Sequence, residues 1–424
     1  MQRLFFSILL TIVISGCATY SDSFKPIEAK LAKGEYDGAL ELIEKNKGEE
    51  RDLVLYMMNK AMVLRMKGEF EASNNVFEAA KAEILRVEAI SVSEQASALV
   101  VNDSLRSYVG ESYERVMLHI YKALNYLELN DVDGARIEAL QIDELMQQLP
   151  EDDYAADSFS RYLTGMIFED LDEEDSALVF YRKSHDSYIK NSDVAVSEPN
   201  ALKADLLRLT DALGFDNEHD QYQESFQKVS FANSKQLNQK GELVIIVNNN
   251  LVPIKSEHAI NAQSPQTGRL IRISVPLYQN KPTYVSQIRV TIDGKNFSGE
   301  ITEDLEKIAN YMLDKQLPLI TARAVARAVI KDKTAGKVGD ANPIMGLIVN
   351  IFGFVSERAD TRSWVTLPQN IHLARIPIDA GTYDVSVELL NSDNDVIATQ
   401  SYENVRVKKR QKTYKTYHWV AASR

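Results

Sequence analysis

Tyr113, Glu114, Arg115 and His119 fall together in the stretch SYERVMLH: a phenol, a carboxyl, a guanidinium and an imidazole on one predicted helix. A carboxyl beside an imidazole is the pairing that general acid–base chemistry uses. Turnover also needs a nucleophile and a pocket, and the sequence points to neither. The four therefore form a candidate functional cluster, not a catalytic site. Glu111 and Arg115, four apart, are predicted to pair along the same helix. A second set is the basic stripe Arg323, Arg327 and Lys331, set apart from Ala322, Val325, Ala326 and Val329. It would meet anionic headgroups, glycan or the acidic half of the chain, or form a solvated face. The motifs HExxH, GxSxG, GxGxxG and GxxxxGK[ST] do not occur. The histidines at 119, 185, 219, 258, 372 and 418 have no metal-ligand spacing. The expectation is a chain that is not an enzyme and holds neither metal nor cofactor. Its basic residues make no nucleic-acid footprint.

Cys17 is the only cysteine, which excludes an intrachain disulfide and any CxxC motif. Upstream, Arg3 and the apolar run Leu4 to Ile14 read as a signal peptide over residues 1–16, too short for a membrane span. The run Ile14-Ser15-Gly16-Cys17 resembles the lipobox of bacterial lipoproteins. That resemblance implies a diacylglycerol on the Cys17 thiol, palmitate-type acylation, and stable anchoring by several chains. Ala18 in place of Asp after the cysteine implies the outer membrane, facing the periplasm. Residues 17–25 are then a short lipidated tether.

The charge is uneven. From Cys17 to Ser225 there are 43 acidic and 21 basic residues, and from Phe226 to Arg424 there are 18 and 26. An acidic surface favours solubility; alternatively it meets a basic partner, which the second half of the same chain could be.

The elements that would position these groups announce themselves by repetition. KGEYDGAL at Lys33 returns as KGEFEASN at Lys67, 34 residues later, the tetratricopeptide period. Gly34 and Gly68 suit the turn between two helices, Tyr36 and Phe70 pack beneath it, and Ala39 and Ser73 sit where the helices touch. Looser copies turn near Asn130, with Ala135 following, and after Phe168, with Ala177 and Tyr181 following. The domain predicted over 26–225 is therefore a degenerate helical repeat array. Its first helices would line a groove for another protein, faced by Asn59, Met62, Arg65, Tyr121, Tyr162, Met166 and Glu169.

From Glu242 the apolar period becomes two. ELVIIV, RLIRISVPLY, VSQIRVTID, GTYDVSVELL, VIATQSYENVRVKK and KTYKTYHWV read as strands, with hairpin signals at Asp293-Gly294 and Asn391 to Asp395. Residues 240–424 are predicted to form a β-sandwich-like domain with a helical insert at 301–357. Within the insert, Ile301 to Leu313 and Leu319 to Lys331 read as two helices separated at Pro318, and Asn342 to Phe354 as a buried apolar segment. Trp364 and Trp419 read as core.

The stretches YVGESYERVMLHIYKALNYL, GELVIIVNNNLVPIKSE, PLITARAVARAVIK and ADTRSWVTLPQNIHLARIPIDAGTY together resemble a family of uncharacterised bacterial lipoproteins with tetratricopeptide-like repeats. The resemblance implies an α+β protein anchored in the outer membrane that scaffolds protein–protein interactions in cell-envelope or peptidoglycan assembly. The competing reading is an envelope enzyme or glycan-binding module acting on peptidoglycan, centred on the Tyr113 to His119 region.

Overall fold

A computed structural model describes residues 20–94, 103–149, 157–263, 268, 270–341 and 358–422. Cys17, the leader and the apolar segment at 342–354 lie outside the described residues. The chain opens with helices α1 (Tyr20–Leu31) and α2 (Tyr36–Lys45), then α3 (Leu53–Met66) and α4 (Phe70–Glu94). Next come α5 (Ser112–Glu128) and α6 (Val132–Gln148), α7 (Asp157–Asp170) and α8 (Glu174–Lys190), α9 (Asn200–Ala212) and α10 (Asp216–Ser225), and the single turn α11 (Ser234–Leu237). The tether expected over 17–25 is helical from Tyr20 onward, because Phe24 and Ile27 are buried against Ala39, Ile43 and Val63.

One turn joins the two members of each pair. Gly34, Gly68, Asn130, Asp172 and Gly214 all take positive φ. The next residue's N–H reaches back across the helix end: Glu35 to Lys30 O (3.0 Å), Glu69 to Leu64 O (2.9 Å), Asp131 to Tyr126 O (2.8 Å), Glu173 to Phe168 O (2.9 Å), Phe215 to Thr210 O (2.9 Å). These bonds satisfy carbonyls that a helix end otherwise leaves open. Five residues beyond each left-handed position stand Ala39, Ser73, Ala135 and Ala177, all fully buried where the paired helices touch. His219 occupies that place in the pair α9–α10, which is why the sequence pattern did not disclose this hairpin. Gly165 serves the same closeness from α7: a Cβ there would lie 2.4 Å from the Tyr181 ring.

The strands follow: β1 (Gly241–Asn249), β2 (Ile254–Gln263), β3 (Leu270–Gln279), β4 (Gln287–Ile292), β5 (Lys295–Ser298) and β6 (Glu300–Asp304). After helix α12 (Leu305–Ala341) come β7 (Asn370–Ile378), β8 (Gly381–Leu390), β9 (Val396–Val407) and β10 (Lys412–Trp419). They make a four-stranded sheet β10-β1-β7-β6, a second β5-β4-β8-β9, and the separate hairpin β2-β3. Within the first sheet β1 runs parallel to β10 and antiparallel to β7. Leu243, Ile245 and Val247 of β1 meet Ile288, Val290, Val385 and Val387 of the second sheet in one apolar cluster. The alternate residues Val244 and Ile246 belong instead to the large cluster shared with the helices. A strand covered on both faces is apolar throughout rather than alternating, which explains the unbroken LVIIV. Asp293 and Gly294, both at positive φ, turn β4 into β5, and Asn394 at positive φ turns β8 toward β9.

The predicted insert is built differently. Ile301–Asp304, expected to open a helix running to Leu313, belongs instead to strand β6, paired with β7. α12 is then one helix that runs through Pro318. The proline leaves the Asp314 carbonyl without its helical donor; both residues lie on an exposed face, where water can take that bond. α12 packs on β3.

Candidate functional site

The predicted groove is filled by the chain's own second half. Asn59, Met62, Arg65, Tyr121, Tyr162 and Met166 are all buried, and the Glu169 side chain is nearly so. Segment 360–369 enters against α3 and α5. Trp364 sets its ring edge-on to Phe77 (5.8 Å) and Tyr121 (6.1 Å). Its indole N–H donates to Thr366 Oγ1 (2.8 Å), and that hydroxyl donates to Asn59 Oδ1 (2.9 Å). Tyr121 OH donates to Asn248 Oδ1 of β1 (3.0 Å). These side chains are packing and hydrogen-bonding partners within one molecule, not an open surface for another polypeptide. Trp364 is core, as its sequence context suggested.

Farther along the same face lies a buried ionic centre. Arg375 of β7 donates to Glu242 of β1 (2.7 and 2.9 Å), to Asp205 of α9, and to Glu169 of α7 (3.4 Å). Arg208 donates to Glu169 (2.6 Å) and Asp205 (3.0 Å), and Lys412 of β10 to Glu242 (2.8 Å). Tyr162 and Tyr181 add hydroxyl bonds to Asp205 (3.0 Å) and Glu169 (2.6 Å). Three carboxylates thus face three cations, drawn from helices and sheet alike. Burial alone would raise the Glu242 pKa, but Arg375 and Lys412 hold it at about 2. The uneven charge of the two halves resolves here into complementarity within one chain. Of this centre, Tyr162 and Glu169 were read from sequence as groove residues and Tyr181 as a repeat position. Arg375, Glu242, Lys412, Asp205 and Arg208 carry no local pattern, because their partners are far away in the chain.

The Tyr113–His119 cluster divides: buried Tyr113 stays with Glu114, its hydroxyl 3.5 Å from that carboxylate and 3.4 Å from the Tyr278 hydroxyl, while Arg115 and His119 turn to other partners. Arg115 leaves the expected Glu111 for Glu88 on α4 (2.9 Å), and His119 pairs with Glu138 on α6 (2.7 Å), which also holds Lys122 (2.7 Å). Glu114 turns the other way. Its carboxylate accepts the N–H of Glu111 (3.0 Å) and of Trp364 (2.8 Å) and the hydroxyl of Tyr108. It therefore closes the α5 N-terminus and fastens the incoming segment to it. Burial raises its pKa, and the neighbouring Glu111 charge adds to the rise. Glu111 takes Lys255 of β2 (3.0 Å) and Gln316 of α12 (3.0 Å) instead; the Lys255 charge holds its pKa down.

This brings the α5 N-terminus to the basic stripe. A cavity of about 200 Å³ opens between α5, the β2–β3 hairpin and α12. Its walls carry the cations Lys255, Arg323, Arg327, Arg358 and Arg362 against the carboxylates Glu111 and Asp360. Arg327 is buried rather than solvated, and Arg362 binds Asp360 (2.7 Å) and Asp52 (3.0 Å) while covering the Tyr108 ring at 5.4 Å. Cations outnumber carboxylates in the wall of this hollow. Lys331, the third stripe residue, does not line the cavity. Among the described residues no group of three or more His, Cys, Asp or Glu side chains is arranged to hold a metal ion. No described helix is long and apolar enough to cross a membrane.

No protein-family model matches the chain, and no curated protein matches its sequence. Among solved structures it is similar to nearly identical TPR-like repeats designated a Podosopora anserina kinesin light chain, at 14% identity over 49% of this chain and 93% of that one, with a TM-score of 0.33. It is also similar to MamA from Desulfovibrio magneticus RS-1, at 12% identity over 49% and 90%, TM-score 0.31. BtubC from P. vanneervenii is similar at 13% identity over 48% and 73%, TM-score 0.33. At this level nothing about partner or activity passes from those proteins to this one.

Proposed function

We propose that the chain is an outer-membrane lipoprotein, anchored through Cys17 on the periplasmic side, that serves as a protein–protein interaction scaffold in cell-envelope or peptidoglycan assembly. Its partner engages by an acidic segment at the cationic hollow between α5, β2–β3 and α12. The charge of that hollow, five cations against two carboxylates, carries the reading. The helical face, the usual docking surface of a stacked array, is already occupied from within the molecule. Membrane attachment is supported by the apolar leader and the Ile14-Ser15-Gly16-Cys17 run.

The test is cross-linking in intact envelopes followed by purification. Arg323→Glu combined with Arg358→Glu is expected to abolish a cross-linked protein partner in a chain that still melts in one cooperative transition. An unchanged partner profile would move docking elsewhere. Mass spectrometry of the N-terminal peptide should find Cys17 acylated; a bare thiol removes the anchor. Co-sedimentation with purified murein sacculi that is lost in the same double variant would favour the glycan-binding reading over a protein partner.

A further inference from the structure

Helix α12 wears its apolar face outward. A surface helix ordinarily turns its apolar arc to the core and its charges to water. Beyond Pro318, α12 buries Arg327 and Asp332 beside Ala324 and Ala328, and half-buries Arg323 and Lys331. Its larger apolar side chains point away: Leu319 is 55% exposed, Val325 40%, Val329 38% and Ile330 46%. Exposed Ala322 and Ala326 lie between them. At 3.6 residues per turn these six positions share one arc of about 140°, along about 16 Å of helix. Between Leu319 and Ile330 no charged residue falls on that arc. A single exposed apolar side chain is ordinary, whereas a continuous stripe marks a docking surface.

The charges around the stripe select its occupant. Lys315 and Lys333, both exposed, fall on the same arc one turn before it and one turn after it. Exposed Lys337 follows. From Lys315 to Ala341 the sequence carries six cations and two carboxylates, and after Asp340 no acid recurs until Glu357. A second copy of the chain would bring two such basic helices together, against their mutual repulsion. A surface that is apolar beneath and anionic above meets both features at once. The valines and leucine enter the acyl boundary while the lysine stems reach back to headgroups.

The fold also ties this helix to the chain's N-terminal helix. Lys281, just beyond β3, binds Glu28 of α1 (2.7 Å), and its neighbour Asn280 accepts a bond from Asn310 of α12 (3.1 Å). Helix α1 begins at Tyr20, three residues past Cys17.

We infer that the outer face of α12, from Leu319 to Ile330, lies in the surface of an anionic lipid bilayer. The helix rests along the interface and does not cross it. Its inner side keeps the cationic hollow, so the two surfaces belong to opposite sides of one helix. Acylation at Cys17 would hold this face near a bilayer, but the inference does not rest on it.

The test uses the full chain without its leader, carrying Cys17→Ser so that no acyl chain contributes. It is sedimented with vesicles of equal parts phosphatidylethanolamine and phosphatidylglycerol. Binding is expected, about ten-fold stronger than to phosphatidylcholine alone and weakened by salt. Val325→Asp combined with Val329→Asp is expected to abolish it in a chain that still melts in one cooperative transition, because both side chains already meet water. Lys315→Glu with Lys333→Glu is expected to weaken it about ten-fold. A polarity-sensitive dye on Val329→Cys should shift to the blue on vesicles, and the same dye on Ile189→Cys, exposed on α8, should not. No sedimentation, binding that survives the two aspartates, or a blue shift at Ile189 but not at Val329 would overturn the surface. Equal binding to neutral lipid would overturn the part given to the lysines. Self-association that the two aspartates abolish, without vesicle binding, would assign the face to a second copy and overturn the lipid reading. Should the aspartate variant fail to fold, the dye positions still decide. Neither valine lines the cationic hollow, so these outcomes are separable from the cross-linking of Arg323→Glu with Arg358→Glu.

Discussion

Arg375 touches Glu242, Asp205 and Glu169, and so binds a strand of its own sheet to two helices of the array. Removing one member of a buried ionic set leaves the others uncompensated, which costs about 3–5 kcal/mol. Arg375→Met should lower the stability by that order in urea unfolding. A loss below about 1 kcal/mol would mean that the centre does not hold the two halves together. Asp170, beside this centre, accepts the Lys412 N–H (2.8 Å). Burial raises its pKa from 3.8 to about 6, against the pull of Lys412. The sign follows from linkage: between those values the folded state binds more protons, so Asp170 costs stability as pH rises through about 6. Asp170→Asn should therefore be more stable than the natural chain at pH 7.5, on the order of 1–2 kcal/mol after allowing for partial solvent screening. The advantage should vanish near pH 4. Buried His372 and His418, both lowered to about 4, act in the opposite sense over the same range. The informative quantity is thus the difference between variant and natural chain, and an advantage independent of pH would contradict the assignment to Asp170.

At the scale of elements, the helical hairpins show what local sequence can specify. A glycine at the turn and a small residue five positions later are sufficient marks for α1–α2 and α3–α4. Asn130 and Asp172 do the same work less visibly, because these side chains tolerate the left-handed region. Gly214 is present in the last hairpin, but His219 breaks the pattern of small residues after it. The β half was legible where strands alternate or end in Asp-Gly. It was misread at β6, because EITED runs without a break into the amphipathic LEKIANYML, and at α12, because a proline on a wet helix face need not end the helix. The ionic centre left no local trace. Gly165 gives this scale its test. Tyr181 packs so close that Gly165→Ala must push the ring and its hydroxyl bond to Glu169 aside. A loss of about 1–3 kcal/mol is expected in thermal or urea unfolding. An unchanged midpoint would show that α7 and α8 can separate without cost.

At the scale of the molecule, one apolar cluster runs from Leu55 and Tyr121 in the helices to Val244, Trp364 and Leu373 in the β half. The groove of the array is thereby a folding surface. The helical half alone would expose Tyr121, Met62 and Trp364's seat on Phe77, together with two buried carboxylates, Glu169 and Asp205, stripped of Arg375. Such a face does not pack by itself, and apolar patches of this kind associate in water. Residues 20–239 expressed alone should therefore bind a hydrophobic dye and unfold over a broad range, and co-expression with 240–424 should restore a soluble pair that purifies together and melts in a single sharp transition. Two halves that each melt sharply and fail to associate would show that the seam is dispensable. In that case the groove would regain its claim as a docking face for another protein, and the cationic hollow would lose its priority.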